Sequence, residues 1–262
     1  MITLSRICTF PLKSGAGIDR TSADIGPRGI AGDRRWMVVD ATGRFITART
    51  VPSMVRITAL PVDGGLSLSV DGEQRTFAIP ADGPRLTVTV WRDTMQALPA
   101  SDGGWLSARL GQDCRLVYMD DALRRPVDPN YALEDDITSF ADGFPLLLLS
   151  EGSLEDLNQR LARPVTMDHF RPNLIVSGCT AFAEDSWRRI RIGTAELTLV
   201  KRCARCVFTT VDPRTGERAA DGEPLRTLSD YRQAEHGIIF GQNALVTRPG
   251  QIRQGDPVKV LS

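Results

Sequence analysis

Short runs of alternating apolar and polar residues dominate the first 120 residues of the chain. Leu66–Val70 and Leu86–Val90 alternate with a period of two, which predicts strands with one buried face. The Asp71-Gly72 pair, between Leu66–Val70 and the run Arg75–Ile79, is typical of a two-residue hairpin turn. Glycine and proline recur between these runs, as they do in barrels and sandwiches. The pattern predicts that this half of the chain is mainly β.

Two more strands and one helix are expected in the same half. Trp36–Asp40 and Phe45–Arg49 are extended runs on either side of a turn, and they predict a second pair of strands. A short helix is expected over Gly104–Leu110, because the following Gly111 is a common residue at helix C-termini.

The segment from Pro126 to Asp142 interrupts this pattern. It carries five acidic residues and no basic ones. Its prolines and polar residues favour a long loop or a crossing between domains.

Beyond that loop the chain returns to strands. Pro145–Leu149 predicts a buried strand, and a helix with Ser153 as its N-cap is expected next, since leucines recur on one helix face over Leu154–Leu161. Further strands are expected at Asn173–Ser177, Ile190–Ile192, Glu196–Val200, Cys206–Val211, Ile238–Phe240 and Val258–Leu261. We therefore expect a predominantly β (α+β) protein with two β-rich domains, residues 1–120 and 121–262.

The charge balance narrows the possible partners. The chain has 32 basic and 32 acidic residues, and only three of the basic residues are lysines. Without a net positive charge, binding to nucleic acid or to an anionic membrane would need a local patch, so neither partner is expected. The N-terminus has no apolar core of signal-peptide length, and no apolar run is long enough to span a membrane. Five dispersed cysteines favour reduced thiols, and we expect a soluble cytoplasmic protein.

Cys203 and Cys206 form a C-x-x-C pair, which is compatible with several chemistries. A zinc site would need two further ligands, and no second paired motif supplies them. A thioredoxin-like redox pair lies at a helix N-terminus, whereas the β-branched residues after Cys206 predict a strand. A soft-metal thiolate is a third option, because Lys201, Arg202 and Arg205 favour the deprotonated form. Two small buried cysteines with a purely structural role are the simplest alternative.

Basic residues are concentrated in the window Arg188–Arg205, which holds six of them against one acidic residue. This predicts either a solvated β surface or an anion site, since arginine forks match phosphate geometry. Arg171-Pro172-Asn173 adds a guanidinium and an amide before a buried strand. Lys13 opens a loop of small residues whose backbone amides suit an anion, although the G-x-x-x-x-G-K-[ST] phosphate loop is absent.

A resemblance to a known family is carried by the segment Arg202–Pro213, whose sequence is R-C-A-R-C-V-F-T-T-V-D-P. This segment resembles the core motif of the MOSC domain, in the branch of the amidoxime-reducing components. Similar segments occur along nearly the whole chain, and they include Phe10–Ser14, Gly32–Trp36, Thr47–Arg49, Ser150–Leu154, Phe170–Asn173, Ala183–Trp187, Phe240–Asn243 and Gly255–Val258. The resemblance implies a MOSC N-terminal β-barrel over residues 1–120 and a MOSC β-barrel over residues 121–262.

The resemblance implies a molybdenum cofactor, Mo-molybdopterin, whose metal takes one protein thiolate. The second cysteine of the motif is that ligand in the family, which implies Cys206 as metal ligand and catalytic residue, with Cys203 in support. Soft thiolate ligation agrees with a metal already bound by sulfur. Asp185 is a candidate proton donor or substrate contact. The positions implied for the pterin and its phosphate are Lys13, Ser14, Arg34, Gly143, Arg171, Asn173, Arg205 and Asn243.

The implied reaction is the reduction of N-hydroxylated compounds, such as amidoximes, hydroxylamines and N-hydroxylated base analogues, to the amine or amidine. The alternative is a non-catalytic carrier of the molybdenum cofactor or of sulfur during cofactor maturation. Electrons are expected from a separate donor protein of the ferredoxin, reductase or cytochrome type, because the sequence lacks the cysteine-rich ferredoxin-like domain that some bacterial relatives append.

Overall fold

A computed structural model of the chain describes residues 1–100, 104–235 and 237–262, so His236 lies outside the described residues. In chain order the strands are β1 (Thr3–Thr9), β2 (Ile18–Arg20), β3 (Ser22–Gly26), β4 (Gly29–Ile30), β5 (Trp36–Asp40), β6 (Thr58–Val62), β7 (Gly65–Val70), β8 (Glu73–Ala78), β9 (Leu86–Val90), β10 (Asp93–Ala100), β11 (Cys114–Tyr118), β12 (Leu146–Ser150), β13 (Leu174–Ser177), β14 (Arg189–Ile192), β15 (Ala195–Ala204), β16 (Gln233–Ala234), β17 (Gly237–Arg248), β18 (Gly250–Arg253) and β19 (Val258–Val260). The α-helices are α1 (Trp105–Leu110), α2 (Glu151–Asn158) and α3 (Leu225–Tyr231), and 3₁₀ turns cover Pro52–Arg56, Met167–His169, Ala183–Ser186 and Val207–Thr210. The expectation of a predominantly β protein with few helices is confirmed.

The largest sheet joins strands from both ends of the sequence. Its order is β19-β14-β15-β17-β12-β13-β1-β2, and β16 pairs with β17 beside this row. Within it the strand pairings are antiparallel except β12–β13, which is parallel because the chain returns through α2 before β13 begins. Aliphatic side chains of this sheet, among them Leu4, Leu148, Leu174 and Leu197, are buried together in one core.

Residues 36–118 build two smaller sheets, one of order β5-β11-β10-β9 and one of order β6-β7-β8. A further three-stranded sheet combines β3 and β4 with β18. The expected boundary near residue 120 therefore does not separate the sheets, because β1 pairs with β13 and β3 pairs with β18 of the second half. This crossing places the loop after β1, which contains Lys13, beside the second half of the chain.

Most predicted strands lie where the sequence places them. β5, β7, β9, β13 and β14 confirm the corresponding runs within a residue or two at their ends. The β7–β8 hairpin turns at Asp71 and Gly72, whose φ angles of 52° and 81° match the left-handed backbone that such a turn requires. Helix α1 is confirmed, and Gly111 closes it with a φ of 67°. None of the described helices has the length and the apolar character needed to cross a membrane.

Two local predictions are wrong because a hydroxyl group closes a turn. Phe45–Arg49 is not a strand beyond isolated bridges at its start, since the Thr47 hydroxyl accepts a hydrogen bond from the Arg49 amide at 3.3 Å. Helix α2 begins one turn earlier than expected, with Ser150 and not Ser153 as its N-cap. The Ser150 hydroxyl accepts from the Ser153 amide at 3.1 Å and thereby satisfies a free helix N–H group.

Candidate active site

Nine of the ten residues that the sequence singles out line one pocket. The pocket lies where the end of β15, the loop before β12 and the loop after β1 meet. The nine residues are Lys13, Ser14, Arg34, Gly143, Arg171, Asn173, Arg205, Cys206 and Asn243. Arg49, Asp142, Cys203 and Phe208 also line it. The pocket thus combines two thiols with five side chains of lysine or arginine.

Cys206 lies two residues after the end of β15 and directly before a 3₁₀ turn. The strand predicted over Cys206–Val211 is wrong, because Val207–Thr210 forms that turn. The hydroxyl of Thr209 donates to the Cys206 carbonyl at 3.0 Å, and the Thr210 hydroxyl donates to the carbonyl three residues before it at 2.8 Å. Such local bonds of threonine compete with sheet pairing despite its β-branched side chain. The thiol of Cys206 is consequently half-buried at the start of a turn and not inside a sheet.

Arg49 belongs to this site, although the sequence reasoning did not single it out. Its Nε donates to the Cys206 Sγ at 3.2 Å, and a terminal nitrogen donates to an Asp142 carboxylate oxygen at 2.5 Å. The guanidinium also lies over the ring of Trp91 at 4.8 Å. Burial lowers the pKa of Arg49, but the Asp142 and Cys206 groups outweigh it and raise the pKa above its ordinary value. The available signal was the segment Thr47–Arg49, which is one of the segments that carry the family resemblance.

Asp142 links Arg49 to Lys13. The Lys13 ammonium is buried, and it donates to an Asp142 carboxylate oxygen and to the Phe140 carbonyl, each at 2.7 Å. Burial lowers the pKa of Lys13 to about 8, although Asp142 opposes the shift. At Asp142 the loss of hydration raises the pKa, but the Lys13 and Arg49 cations outweigh it and hold the pKa well below its ordinary value. Asp142 is therefore a carboxylate at neutral pH.

Arg125 fixes the loop that ends at Asp142. Its buried guanidinium donates to the carbonyl oxygens of Ser139, Ala141 and Asp142. It also pairs with the Asp93 carboxylate at 2.8 Å. The acidic segment is a loop, as predicted, and these bonds hold its final residues in place at the pocket.

Arg171 and Arg205 each keep one buried terminal nitrogen without a hydrogen-bond partner among the described residues. Arg171 donates once to a backbone carbonyl at 2.6 Å, and Arg205 donates to the carbonyls of Phe240 and Phe170 at 2.7 and 3.0 Å. Burial lowers the pKa of Arg171 to about 9, and the neighbouring Arg34 cation acts in the same direction. A buried donor without an acceptor is costly. These two nitrogens therefore mark where an anionic ligand would be stabilised.

Asn173 organises Arg34. The amide oxygen of Asn173 accepts from Arg34 at 3.1 Å and from the Leu147 amide at 3.3 Å. Its amide nitrogen donates to the Cys8 carbonyl and to the Asp33 carboxylate, both at 3.1 Å. Asp33 in turn accepts from Arg34 at 2.5 Å. Because protein groups occupy all four hydrogen-bonding positions of this amide, Asn173 positions Arg34 in the pocket wall.

Three residues of the pocket adopt a left-handed backbone that is uncommon outside glycine. The φ angles are 67° for Ser14, 47° for Arg34 and 55° for Arg171. Such conformations persist where the surrounding structure imposes them, and they cluster at binding sites.

The remaining predicted residues complete the pocket wall. Asn243 lies on β17 and lines the pocket together with Cys203. Burial raises the pKa of the Cys203 thiol, although the Arg205 cation opposes the shift. Gly143 lies in the pocket wall with open space where a Cβ would stand. The raised pKa favours the protonated form of Cys203, whereas a metal ligand is a thiolate.

Asp185 lies outside this pocket. One of its carboxylate oxygens accepts from Arg232 at 2.5 Å and the other accepts from Gln242 at 2.7 Å. Gln242 precedes Asn243 on β17, and consecutive side chains of a strand point to opposite faces of the sheet. The sequence-based expectation that Asp185 contacts substrate is therefore not supported, and its carboxylate joins α3 to the sheet instead.

The structure also bears on two alternatives from the sequence, an anion site in the window Arg188–Arg205 and a zinc site at the C-x-x-C pair. Arg189 and Arg191 pair with Glu196 on an exposed strand face, which is the solvated β surface and not an anion site. Among the six basic residues of the window, Arg205 lines the pocket. In the described part of the chain, no three or more His, Cys, Asp or Glu side chains come together to hold a metal ion, which gives a zinc site no support.

Comparisons with known proteins agree with the two halves of the chain. Residues 1–113 match the family model of the MOSC N-terminal beta barrel domain, and residues 135–259 match that of the MOSC domain. A mouse protein named mitochondrial amidoxime-reducing component 1 is 37% identical over 99% of this chain and 82% of its own length. The human protein of the same name is 35% identical over 99% of this chain and 83% of its own length. The Xenopus laevis protein of that name is 35% identical over 97% of this chain and 81% of its own length.

These relatives contradict the expected cytoplasmic location, because all three are mitochondrial by name. Reduced cysteines indicate a reducing environment and do not distinguish one reducing compartment from another. The full-length similarity, together with a pocket that gathers nine of the ten predicted site residues, identifies the family. The chain belongs to the amidoxime-reducing components, within the MOSC-domain proteins.

Proposed function

We propose that this protein is a molybdenum-cofactor-dependent reductase of N-hydroxylated compounds and that the pocket around Cys206 is its active site. The observation that carries the proposal is the pairing of a half-buried thiol with a cluster of cations. Arg49 donates to the Cys206 Sγ at 3.2 Å, and the cations of Lys13, Arg171 and Arg205 line the same pocket.

The donor set fits a molybdenum cofactor. The unpartnered nitrogens of Arg171 and Arg205 need acceptors, and a phosphate group offers several. A thiolate at Cys206 is a soft ligand of the kind that suits a sulfur-bound metal. When bound, the cofactor supplies a centre for two-electron reduction and for removal of an oxygen atom.

Each residue of the pocket has a separate part in this proposal. Cys206 holds the metal, and Arg49 stabilises its thiolate. The pterin and its phosphate are held by Lys13, Ser14, Arg34, Arg171 and Arg205. Asn173 positions Arg34. The cofactor is bordered by Gly143 from the loop before β12 and by Asn243 from β17.

Reduction of an N-hydroxylated compound breaks its N–O bond, takes up two electrons and two protons, and releases the amine or amidine and water. The electrons come from a separate redox protein in this proposal. Asp142 acts here as an ionised acceptor that holds Lys13 and Arg49 in place, since its pKa lies well below neutrality. It is accordingly not the source of the protons at neutral pH.

We also propose residues 1–120 and 121–262 as the two sequence domains. The family models leave the interval between residues 113 and 135 unassigned, and the proposed boundary falls inside it. Strands β1 to β4 then belong to the first domain in sequence while they pair with sheets of the second.

The test compares the wild-type protein with Cys206→Ser and Cys203→Ser after expression in a host that makes the cofactor. Wild type and Cys203→Ser are expected to carry stoichiometric molybdenum by mass spectrometry, and Cys206→Ser is expected to lose it. The loaded wild type is expected to reduce benzamidoxime and hydroxylamine with reduced viologen as the electron donor.

Each outcome has a defined meaning. If Cys206→Ser still carries molybdenum, Cys206 is not the metal ligand. If the protein carries stoichiometric molybdenum but reduces neither substrate, the reductase function is rejected. The alternative function, a carrier of the molybdenum cofactor or of sulfur, would then be favoured.

A further inference from the structure

A groove of about 690 Å³ adjoins the Cys206 pocket. The groove and the pocket share the wall residues Asp142, Gly143 and Phe144. The groove continues away from the thiol between the Trp91 turn on one side and the start of the acidic loop, Pro126–Asn130, on the other. The pocket and the groove are therefore neighbours that meet at these three residues.

Trp91 is an exposed aromatic residue in an unusual backbone position. It is the first residue of the two-residue turn between β9 and β10, and its φ is 56°. Glycine and asparagine are the residues that favour such a position, and a bulky side chain there is a true outlier. The side chain nevertheless remains 49% exposed, so core packing does not explain its presence. Exposed aromatic residues in strained turns are candidates for a binding role.

Several contacts hold the indole beside the thiol. The Nε1 of Trp91 donates to an Asp142 carboxylate oxygen at 3.3 Å, and the Phe45 ring packs against it at 5.2 Å between centroids. The Arg49 guanidinium lies 4.8 Å from the ring centroid, and the same guanidinium donates to the Cys206 Sγ at 3.2 Å. Arg49 thus contacts both the indole and the thiol. A ring in the groove beside Trp91 is therefore close to the reacting centre.

The far side of the groove also carries aromatic groups. Phe144 lines it and packs edge-on against Tyr131 with centroids 5.9 Å apart. The Lys201 ammonium lies over the Tyr131 ring at 4.3 Å, and Lys201 lines the groove as well. Aromatic rings prefer neighbours in offset-stacked or edge-to-face geometry at such separations. Planar rings therefore find suitable surfaces on both walls.

The geometry points to a substrate subsite in this groove, in which Trp91 is the stacking surface for the flat ring of an aromatic or heteroaromatic N-hydroxylated substrate. The inference rests on the proposed function and adds a residue that determines specificity. Substrates that carry a planar ring beside their N–O group, as benzamidoxime does through its amidine carbon, use both the pocket and the groove, whereas hydroxylamine itself uses the pocket alone. Trp91 acts on recognition and takes no part in bond breaking.

Trp91→Gly is the appropriate truncation, because glycine accepts the positive φ and relieves the backbone. The measured quantity is the ratio of kcat/KM for benzamidoxime to kcat/KM for hydroxylamine, with molybdenum content recorded for each preparation. We expect this ratio to fall about tenfold in Trp91→Gly, mainly through a higher KM for benzamidoxime, and to be largely restored in Trp91→Phe, in line with the usual strength of stacking on an aromatic side chain.

Fluorescence gives a readout that is independent of turnover. Trp36 and Trp187 are buried, Trp105 is half-buried against Phe77 and Arg109 and does not line the groove, and Trp91 is far more exposed. Benzamidoxime is expected to quench the tryptophan emission of the wild-type protein, and this quenching should be absent in Trp91→Phe.

The outcomes separate the two proposals. An unchanged specificity ratio in Trp91→Gly, or equal quenching in wild type and Trp91→Phe, would overturn the subsite while leaving the reductase intact. A loaded wild type that reduces neither substrate would overturn the reductase, and the quenching result would then decide the groove by itself.

Discussion

Replacing Asp142 by asparagine tests the ion pair between the buried Lys13 ammonium and the half-exposed Asp142 carboxylate. Lys13 is 4% exposed, and its pKa of about 8, against an ordinary 10.5, corresponds to about 3 kcal/mol in favour of the neutral amine. The Asp142 carboxylate opposes this shift, so its removal lowers the pKa of Lys13 further. Removing one partner of a fully buried pair costs about 3–5 kcal/mol. We expect about 2 kcal/mol at pH 7, because the Asp142 side chain is 52% exposed and Lys13 can escape by losing its proton.

The pH dependence follows from the direction of the Lys13 shift. The folded state binds fewer protons than the unfolded state between pH 8 and 10.5, so this lysine adds stability as the pH rises through that interval. In Asp142→Asn the interval begins at a lower pH, since the folded pKa of Lys13 is lower. The difference in stability between wild type and variant is therefore largest below the lowered pKa of Lys13 in the variant. It shrinks between that pKa and pH 8, and above pH 8 it is constant, because Lys13 is then neutral in both folded proteins.

Urea unfolding of the cofactor-free protein, followed by circular dichroism from pH 7 to pH 10, measures this difference without ligand linkage. Asp93→Asn is the matched control, because Asp93 is 47% exposed and pairs with the buried Arg125. Arginine does not titrate in this interval, so the cost of Asp93→Asn should not depend on pH. A cost of Asp142→Asn that is equally independent of pH would refute the buried pair between Lys13 and Asp142.

Three further predictions concern individual side chains. Arg49→Lys keeps a positive charge but loses the fork that reaches Cys206 and Asp142 together, so we expect lower molybdenum occupancy after gel filtration than in Arg189→Lys, whose parent residue lies on the exposed β14 face. Arg205→Gln removes the guanidinium that has one buried nitrogen without a partner, and we expect weaker retention of the phosphate-bearing cofactor, measured as pterin released per chain; retention equal to wild type would argue against a phosphate at that nitrogen. Asp185→Asn should lower the free energy of unfolding by about 1–2 kcal/mol through its bonds to Arg232 and Gln242 while kcat per bound molybdenum stays the same, and a fall in that kcat would return Asp185 to the mechanism.

Sequence patterns predicted local structure well where one physical signal acted alone. The alternation in β7 and β9 and the Asp71-Gly72 turn are examples, because side-chain periodicity and turn chemistry are local properties. The prediction failed after Cys206, where threonine hydroxyls bond to nearby carbonyls and override the usual preference of threonine for strands. It also failed for Asp185, since one sequence cannot show on which face of a sheet a loop carboxylate lies.

The sequence by itself determined the fold class, the family and the kinds of side chain in the pocket. These are a C-x-x-C pair, Lys13 as one of only three lysines, and a set of arginines at motif positions. Only the tertiary structure decided how these groups are paired. Arg49 and Cys206 are 157 positions apart, and Lys13 and Asp142 are 129 apart, so their contacts exist only in the folded chain, where β1 pairs with β13 and β3 pairs with β18. Charge pairing and burial depend on distances that no local pattern encodes. For the same reason the zero net charge gave no sign of the positive pocket, or of the exposed Trp91 beside it.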